Sequence, residues 1–121
     1  DKIALVAGGI GITPVRALMQ DADGDVVVLY RALTDEDLVL RDEIEELAAE
    51  RGITVHFLVG DHATPEGERM LAPGSLRDLV PDLAERDVFV CGPPGMTDAA
   101  VRNVRAAGVP RRHVHVERFA L

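Results

Sequence analysis

The apolar run Ile3-Ala4-Leu5-Val6 leads directly into Ala7-Gly8-Gly9-Ile10-Gly11-Ile12-Thr13-Pro14. Three glycines within four residues, closed by Thr-Pro, read as a strand, a tight backbone turn and a helix start. Glycine takes φ > 0 without strain and leaves bare backbone for a ligand to approach. Thr13 is a good N-cap, and Pro14 suits the first helical position, where its missing N–H would be unpaired anyway. A loop of this kind aims free N–H groups and the positive end of a helix dipole at one spot, which suits a phosphate. The spacing Gly9-x-Gly11-x-x-Pro14 is not the G-x-G-x-x-G of a dinucleotide fingerprint. The rest of the chain therefore decides between a cofactor loop and an ordinary turn.

The remaining periodicity supplies the context. Val15, Leu18 and Met19 share one helical face; Val26-Val27-Val28-Leu29-Tyr30 is a second unalternating apolar run, ending at Arg31. Thr34-Asp35-Glu36-Asp37 reads as an acidic helix start, with Leu40, Ile44, Leu47 and Ala48 on the buried face and Gly52 as its stop. The segment 53–59 is a third strand. Gly60 to Gly74 is the longest irregular stretch, and Ser75-x-x-Asp78 resembles a capping box opening a short helix before Pro81. Asp87-Val88-Phe89-Val90-Cys91 is a fourth strand, followed at once by Gly92-Pro93-Pro94-Gly95; a helix carrying Met96, Ala100, Val104 and Ala107 and a last strand over 113–119 complete the chain. Strands without alternation are covered on both faces. The β-α repetition predicts a three-layer αβα domain over residues 1–121, with a five-stranded parallel sheet in the order 3-2-1-4-5. In such sheets ligands bind at the carboxyl ends of strands where the winding reverses, here between strands one and four. The turns 8–14 and 92–95 follow those two strands and are expected to face each other across one crevice.

Composition narrows the function. A formal charge of −8, with no basic run longer than Arg111-Arg112, repels nucleic acid and anionic membrane. One cysteine excludes an intrachain disulfide and fits a reducing compartment, and no apolar run approaches a membrane span. The expected location is therefore cytoplasmic, including as the cytoplasmic domain of a membrane reductase. The chain opens on Asp1 and enters a strand almost immediately, as an excised piece of a longer protein would. His113 and His115 share a strand face, but no clustered Cys or carboxylate completes a tetrahedral set, so no metal is expected.

Three segments together, Ala7–Pro14, Cys91-Gly92-Pro93-Pro94-Gly95-Met96 and Val116-Glu117-Arg118-Phe119, resemble the NAD(P)-binding domain of the ferredoxin–NADP reductase superfamily. Leu40-Arg41-Asp42-Glu43-Ile44 is similar to that family's second helix start, and the 87–96 and 109–119 segments resemble its bacterial ferric-reductase-like branch. The resemblance covers essentially the whole chain. It implies half of an enzyme: a domain that binds NAD(P)H and presents the nicotinamide to a flavin, FAD favoured over FMN, on an N-terminal barrel domain outside this chain. Electrons would pass on to an acceptor such as haem, iron–sulfur or ferric iron. The domain alone would not be catalytically competent.

By the same resemblance, Gly8, Gly9, Gly11, Ile12, Thr13 and Pro14 would hold the pyrophosphate and the near side of the nicotinamide. Gly92, Pro93, Pro94 and Met96 would form the opposing turn. Cys91 would lie beside the nicotinamide ring without acting as a nucleophile; otherwise it is a small buried hydrophobe. Glu117 and Phe119 would stand near the reacting flavin edge, although Ala120-Leu121 extends the chain past the aromatic. Choice of dinucleotide turns on the end of the third strand. There Asp61 would repel a 2′-phosphate or accept from a free 2′-hydroxyl, while His62, Arg69 and Arg31 could approach a phosphate; NADH is slightly favoured over NADPH. The rival function is a non-enzymatic nucleotide sensor or interaction domain of the same fold. A receiver domain would need an acidic cluster where Ala7-Gly8-Gly9 stands, and a flavodoxin a Ser/Thr-rich phosphate loop.

Overall fold

In the computed structural model, which describes residues 1–61 and 63–118, the apolar runs form one parallel sheet. Its strands are β1 (Lys2–Gly8), β2 (Asp25–Ala32), β3 (Thr54–Val59), β4 (Asp87–Gly92) and β5 (Val114–Arg118), in the order β3-β2-β1-β4-β5. The connecting helices are α1 (Ile12–Asp21), α2 (Arg41–Arg51), α3 (Pro65–Arg69), α4 (Pro73–Leu79) and α5 (Pro94–Ala106).

β1 lies at the centre, with Val6 opposite Leu29 of β2 and Val90 of β4. Because side chains alternate across a strand, each strand feeds two cores. Ala4, Val6, Leu29, Val88 and Val90 pack with Leu76 of α4 and Ala100 and Val104 of α5. Leu5, Ala7, Val28 and Tyr30 pack on the other side with Ile12, Val15 and Met19 of α1 and Ile44 of α2. Leu5 and Val6 are fully buried on opposite faces, each worth about 1.5–3 kcal/mol relative to exposure. Both faces are therefore covered, which is why the inner strands show no polar alternation.

At the amino-terminal edge of the sheet, Arg86 is buried and ties three elements together. Its Nη1 donates to the carbonyls of Ile3 (2.9 Å) and Asp25 (3.0 Å), and its Nε donates to Asp82 Oδ1 (2.8 Å). Nη2 donates to Asp25 Oδ1 at 3.0 Å. A buried guanidinium needs such partners to offset its desolvation. This cluster holds the edge opposite the glycine turns.

Local structure departs from the sequence expectation at three points. α1 takes Gly11 as its N-cap, so Thr13 and Pro14 sit inside the first turn. The backbone of Gly9–Gly11 winds into a 3-10 turn that already runs into the helix, leaving no need of a side-chain cap. Thr34 and Asp37 do form a capping box, but it closes only the turn Asp35–Asp37. Burial of Leu38 and the Tyr30 hydroxyl, which donates to the Val39 carbonyl at 2.9 Å, hold this connection down, and α2 starts at Arg41. The stretch from Gly60 to Gly74 contains α3, and α4 begins at Pro73, ahead of Ser75.

Candidate cofactor site

The two glycine turns meet at the carboxyl edge of the sheet. They touch rather than enclose a gap: a Cβ on Gly11 would overlap the Cys91 carbonyl and stand 2.9 Å from the Gly92 nitrogen. A Cβ on Gly92 would lie 3.1 Å from the Gly8 carbonyl and 2.6 Å from Met96 Cε, which also fills the space over Gly8. Backbone-to-backbone packing thus requires Gly11, while Gly8 and Gly92 leave the room that the Met96 side chain fills. Gly9 differs. It adopts φ +55°, and a Cβ there would meet nothing within 4 Å, as would one on Gly95.

Above these open glycines, α1 and α5 both begin without a side-chain cap. The first-turn N–H groups of α5 and those of the Gly9–Gly11 turn that leads into α1 carry partial positive charge at the same sheet edge, the arrangement that receives a phosphate. Pro14 and Pro94 lie in the first turns of the two helices, where no N–H is needed. Ile12 is buried in the core, Thr13 is exposed at the helix start, and Pro93 and Pro94 flank the second turn. Ile10, 45% exposed, stands at the tip of the first turn.

On the α1 side, β4 and β5 place Phe89 opposite His115 and Cys91 opposite Glu117. These four side chains, with Pro14, Ala17, Leu18, Asp21 and Val116, line a hollow of about 580 Å³. Phe89 and His115 stack with centroids 4.5 Å apart, and His115 Nε2 lies 3.3 Å from Asp87 Oδ1. Cys91 is buried, and its thiol is pushed up to about 11, first by burial and then by the Glu117 carboxylate. It is a neutral thiol at physiological pH, unsuited to attack. Glu117 is exposed. A flat apolar wall with the Glu117 carboxylate beside Cys91 can pack a planar ring and accept a hydrogen bond from it.

On the opposite side, Arg31 is the next-to-last residue of β2, in register with Gly8 and Leu58. Its side chain is 7% exposed, and its only protein hydrogen bond among the described residues runs from Nη1 to Met70 Sδ at 3.1 Å. Burial lowers its pKa and Asp61 opposes that shift. Asp61 is exposed and caps its own turn, Oδ1 accepting from the Ala63 N–H at 2.8 Å. His62 and Phe119 lie outside the described residues.

Arg31 and Cys91 therefore occupy opposite faces of one edge, with the glycine turns between them. Sequence reasoning had no mark for Phe89 and His115 as site residues, although their i, i+2 spacing to Cys91 and Glu117 carries that information. Met70 had no such signal. Among the described residues, no group of three metal-ligating side chains comes together, and no helix is long and apolar enough to cross a membrane.

Bare glycine backbone and two helix starts at the switch point, with a buried cation on the adjoining strand β2, define a dinucleotide-binding domain of the α/β type. The chain belongs to the oxidoreductase NAD-binding domain family, whose profile matches residues 5–102, and thereby to the ferredoxin–NADP reductase superfamily. It is 34% identical to the ferredoxin reductase component of 3-ketosteroid-9-alpha-monooxygenase of Mycolicibacterium smegmatis, over 95% of this chain and 33% of that protein. It is also 34% identical to NADH-cytochrome b5 reductase 1 of Candida glabrata, over 90% of this chain and 42% of that protein. The fold matches the FAD/NAD binding domain of nitric oxide dioxygenase from Vibrio cholerae with a TM-score of 0.77 and 22% identity, covering 97% of this chain and 50% of the other. The chain spans about a third of the length of the curated relatives it matches.

Proposed function

We propose that this domain binds NADH and presents its nicotinamide to a flavin, FAD in preference to FMN, held by an adjoining domain. The observation that carries the reading is the pairing of Cys91 with Glu117 over an apolar hollow that runs along α1 from Pro14 in its first turn. A phosphate-binding sensor needs the helix starts but has no use for the ring-sized wall. When bound, the dinucleotide supplies a hydride and the flavin accepts it.

The chain's residues supply position and polarity. Gly95, the Gly9–Gly11 turn and the first turn of α5 receive the pyrophosphate on backbone N–H groups. Cys91 and Phe89 give the nicotinamide a flat, uncharged surface, and Glu117, beside Cys91, accepts a hydrogen bond. Asp61 retains a carboxylate oxygen outside its own turn that can accept from a ribose 2′-hydroxyl, which supports NADH over NADPH. So does the likeness to NADH-cytochrome b5 reductase 1, which is named for its use of NADH. The cytochrome b5 reductase and ferredoxin reductase names support single-electron delivery to a haem or iron–sulfur acceptor.

The test is an NADH titration of the chain, followed by Glu117→Gln in the parent polypeptide containing its flavin domain. The chain should bind NADH and retain no flavin. The variant should slow flavin reduction roughly ten- to a hundredfold with little change in NADH affinity. Stoichiometric flavin binding by this chain alone would overturn the assignment.

A further inference from the structure

Arg31 is a guanidinium in want of an oxygen. It has five N–H donors, yet among the described residues a single thioether meets one of them. Arg86, comparably buried at the other edge, is surrounded by two carboxylates and two carbonyls. Sulfur in a thioether is a weak acceptor, whereas guanidinium groups pair strongly with phosphate, often in a bidentate fork. Met70 is nonetheless firmly placed. It follows α3, and its Cε stands 3.0 Å from where a Cβ on Gly60 would be, so the bare glycine makes room for it. Asp61, next in the chain, acts on the same guanidinium through its charge.

We propose that Met70 sets the cofactor choice: its thioether occupies Arg31 where a ribose 2′-phosphate would bind, and so withholds that cation from the phosphorylated dinucleotide. The proposal rests on the reading of this edge as a dinucleotide site. A 2′-phosphate gains Arg31 only by pushing Met70 off Gly60, and it must also approach Asp61. A free 2′-hydroxyl requires neither. Met70 is thus a specificity residue acting through Arg31, with no contact to the reacting atoms.

The test compares 2′-AMP and 5′-AMP binding to the chain by nuclear magnetic resonance, with methionine methyl groups labelled. Met70→Ala should tighten 2′-AMP about tenfold and leave 5′-AMP within about twofold. Met70→Leu keeps the bulk over Arg31 and should behave as the unaltered chain. Arg31→Gln in the Met70→Ala background should remove the gain. In the unaltered chain the Met70 methyl signal should shift with saturating 2′-AMP and hold still with 5′-AMP, a measurement independent of any variant's folding. An unchanged 2′-AMP to 5′-AMP ratio in Met70→Ala, or an unmoved Met70 signal at 2′-AMP saturation, overturns the proposal. Failure of the unaltered chain to bind NADH at all overturns the dinucleotide reading beneath it, and is told apart by that titration.

Discussion

Cys91 of β4 and Glu117 of β5 are direct partners in the parallel register, on the α1 side of the sheet. Burial and that carboxylate together hold the thiol near 11, so at pH 8 only about one thiol in a thousand is ionised. Alkylation of Cys91 by iodoacetamide should therefore be slow at neutral pH. Glu117→Gln removes the second cause and should lower the thiol's pKa, speeding alkylation at pH 9. An unchanged rate in the variant would show that the carboxylate does not reach the thiol.

Gly9 and Gly11 are two residues apart and should respond differently to alanine. Gly11→Ala drives a methyl into the Cys91–Gly92 backbone, an overpacking that should cost about 1–3 kcal/mol of stability. Gly9→Ala meets open space but must hold φ +55°, a strain of about 1–2 kcal/mol. If Gly9 receives the pyrophosphate as proposed, the new methyl stands in its path and NADH affinity should fall further than stability explains. Denaturant unfolding alongside NADH titration separates the two effects.

The Asp82–Arg86 cluster predicts an acid limb of stability. Asp82 is held at about 2, below its ordinary 3.8, first by hydrogen bonds from Arg86 and then by those from Lys2. A depressed carboxylate contributes stability that is present above the unfolded pKa and lost as pH falls through the folded one. Thermal midpoints should therefore drop between about pH 4 and pH 2, and Asp82→Asn should flatten that limb. A variant with the same slope as the parent would assign the acid limb elsewhere.

Tyr30 is fully buried and its hydroxyl donates to Val39, which lies in the connection before α2. Tyr30→Phe leaves the ring in place and orphans that carbonyl. It should cost about 1 kcal/mol and raise hydrogen exchange in residues 33–40, measured by mass spectrometry. Exchange unchanged there would mean that Leu38 alone anchors the loop.

The strand order, both glycine turns and the pairing of Cys91 with the carboxyl edge were legible because each rests on a short-range rule. Continuous apolar runs imply strands covered on both faces, and right-handed crossovers leave one natural winding for five of them. Helix boundaries near Thr34 and Ser75 were less legible: a capping signal states that a turn can start, and burial of Leu38 and packing of Leu76 decide how far it runs. Thr13 shows the same limit, its good capping chemistry made redundant by the Gly9–Gly11 turn.

The sequence by itself determined that a bare-backbone turn follows the central strand, that a second follows its neighbour, and that such turns suit a phosphate, the nicotinamide dinucleotide being what the family resemblance implies. Only the tertiary structure decided which glycines serve packing and which stay open, since Gly8, Gly11 and Gly92 are distinguished from Gly9 by neighbours distant in the chain. It also decided that Arg31 is buried against Met70, across 39 residues of sequence. Local chemistry sets what a residue can do; the desolvation and the partners that select among those possibilities come from segments brought together by folding.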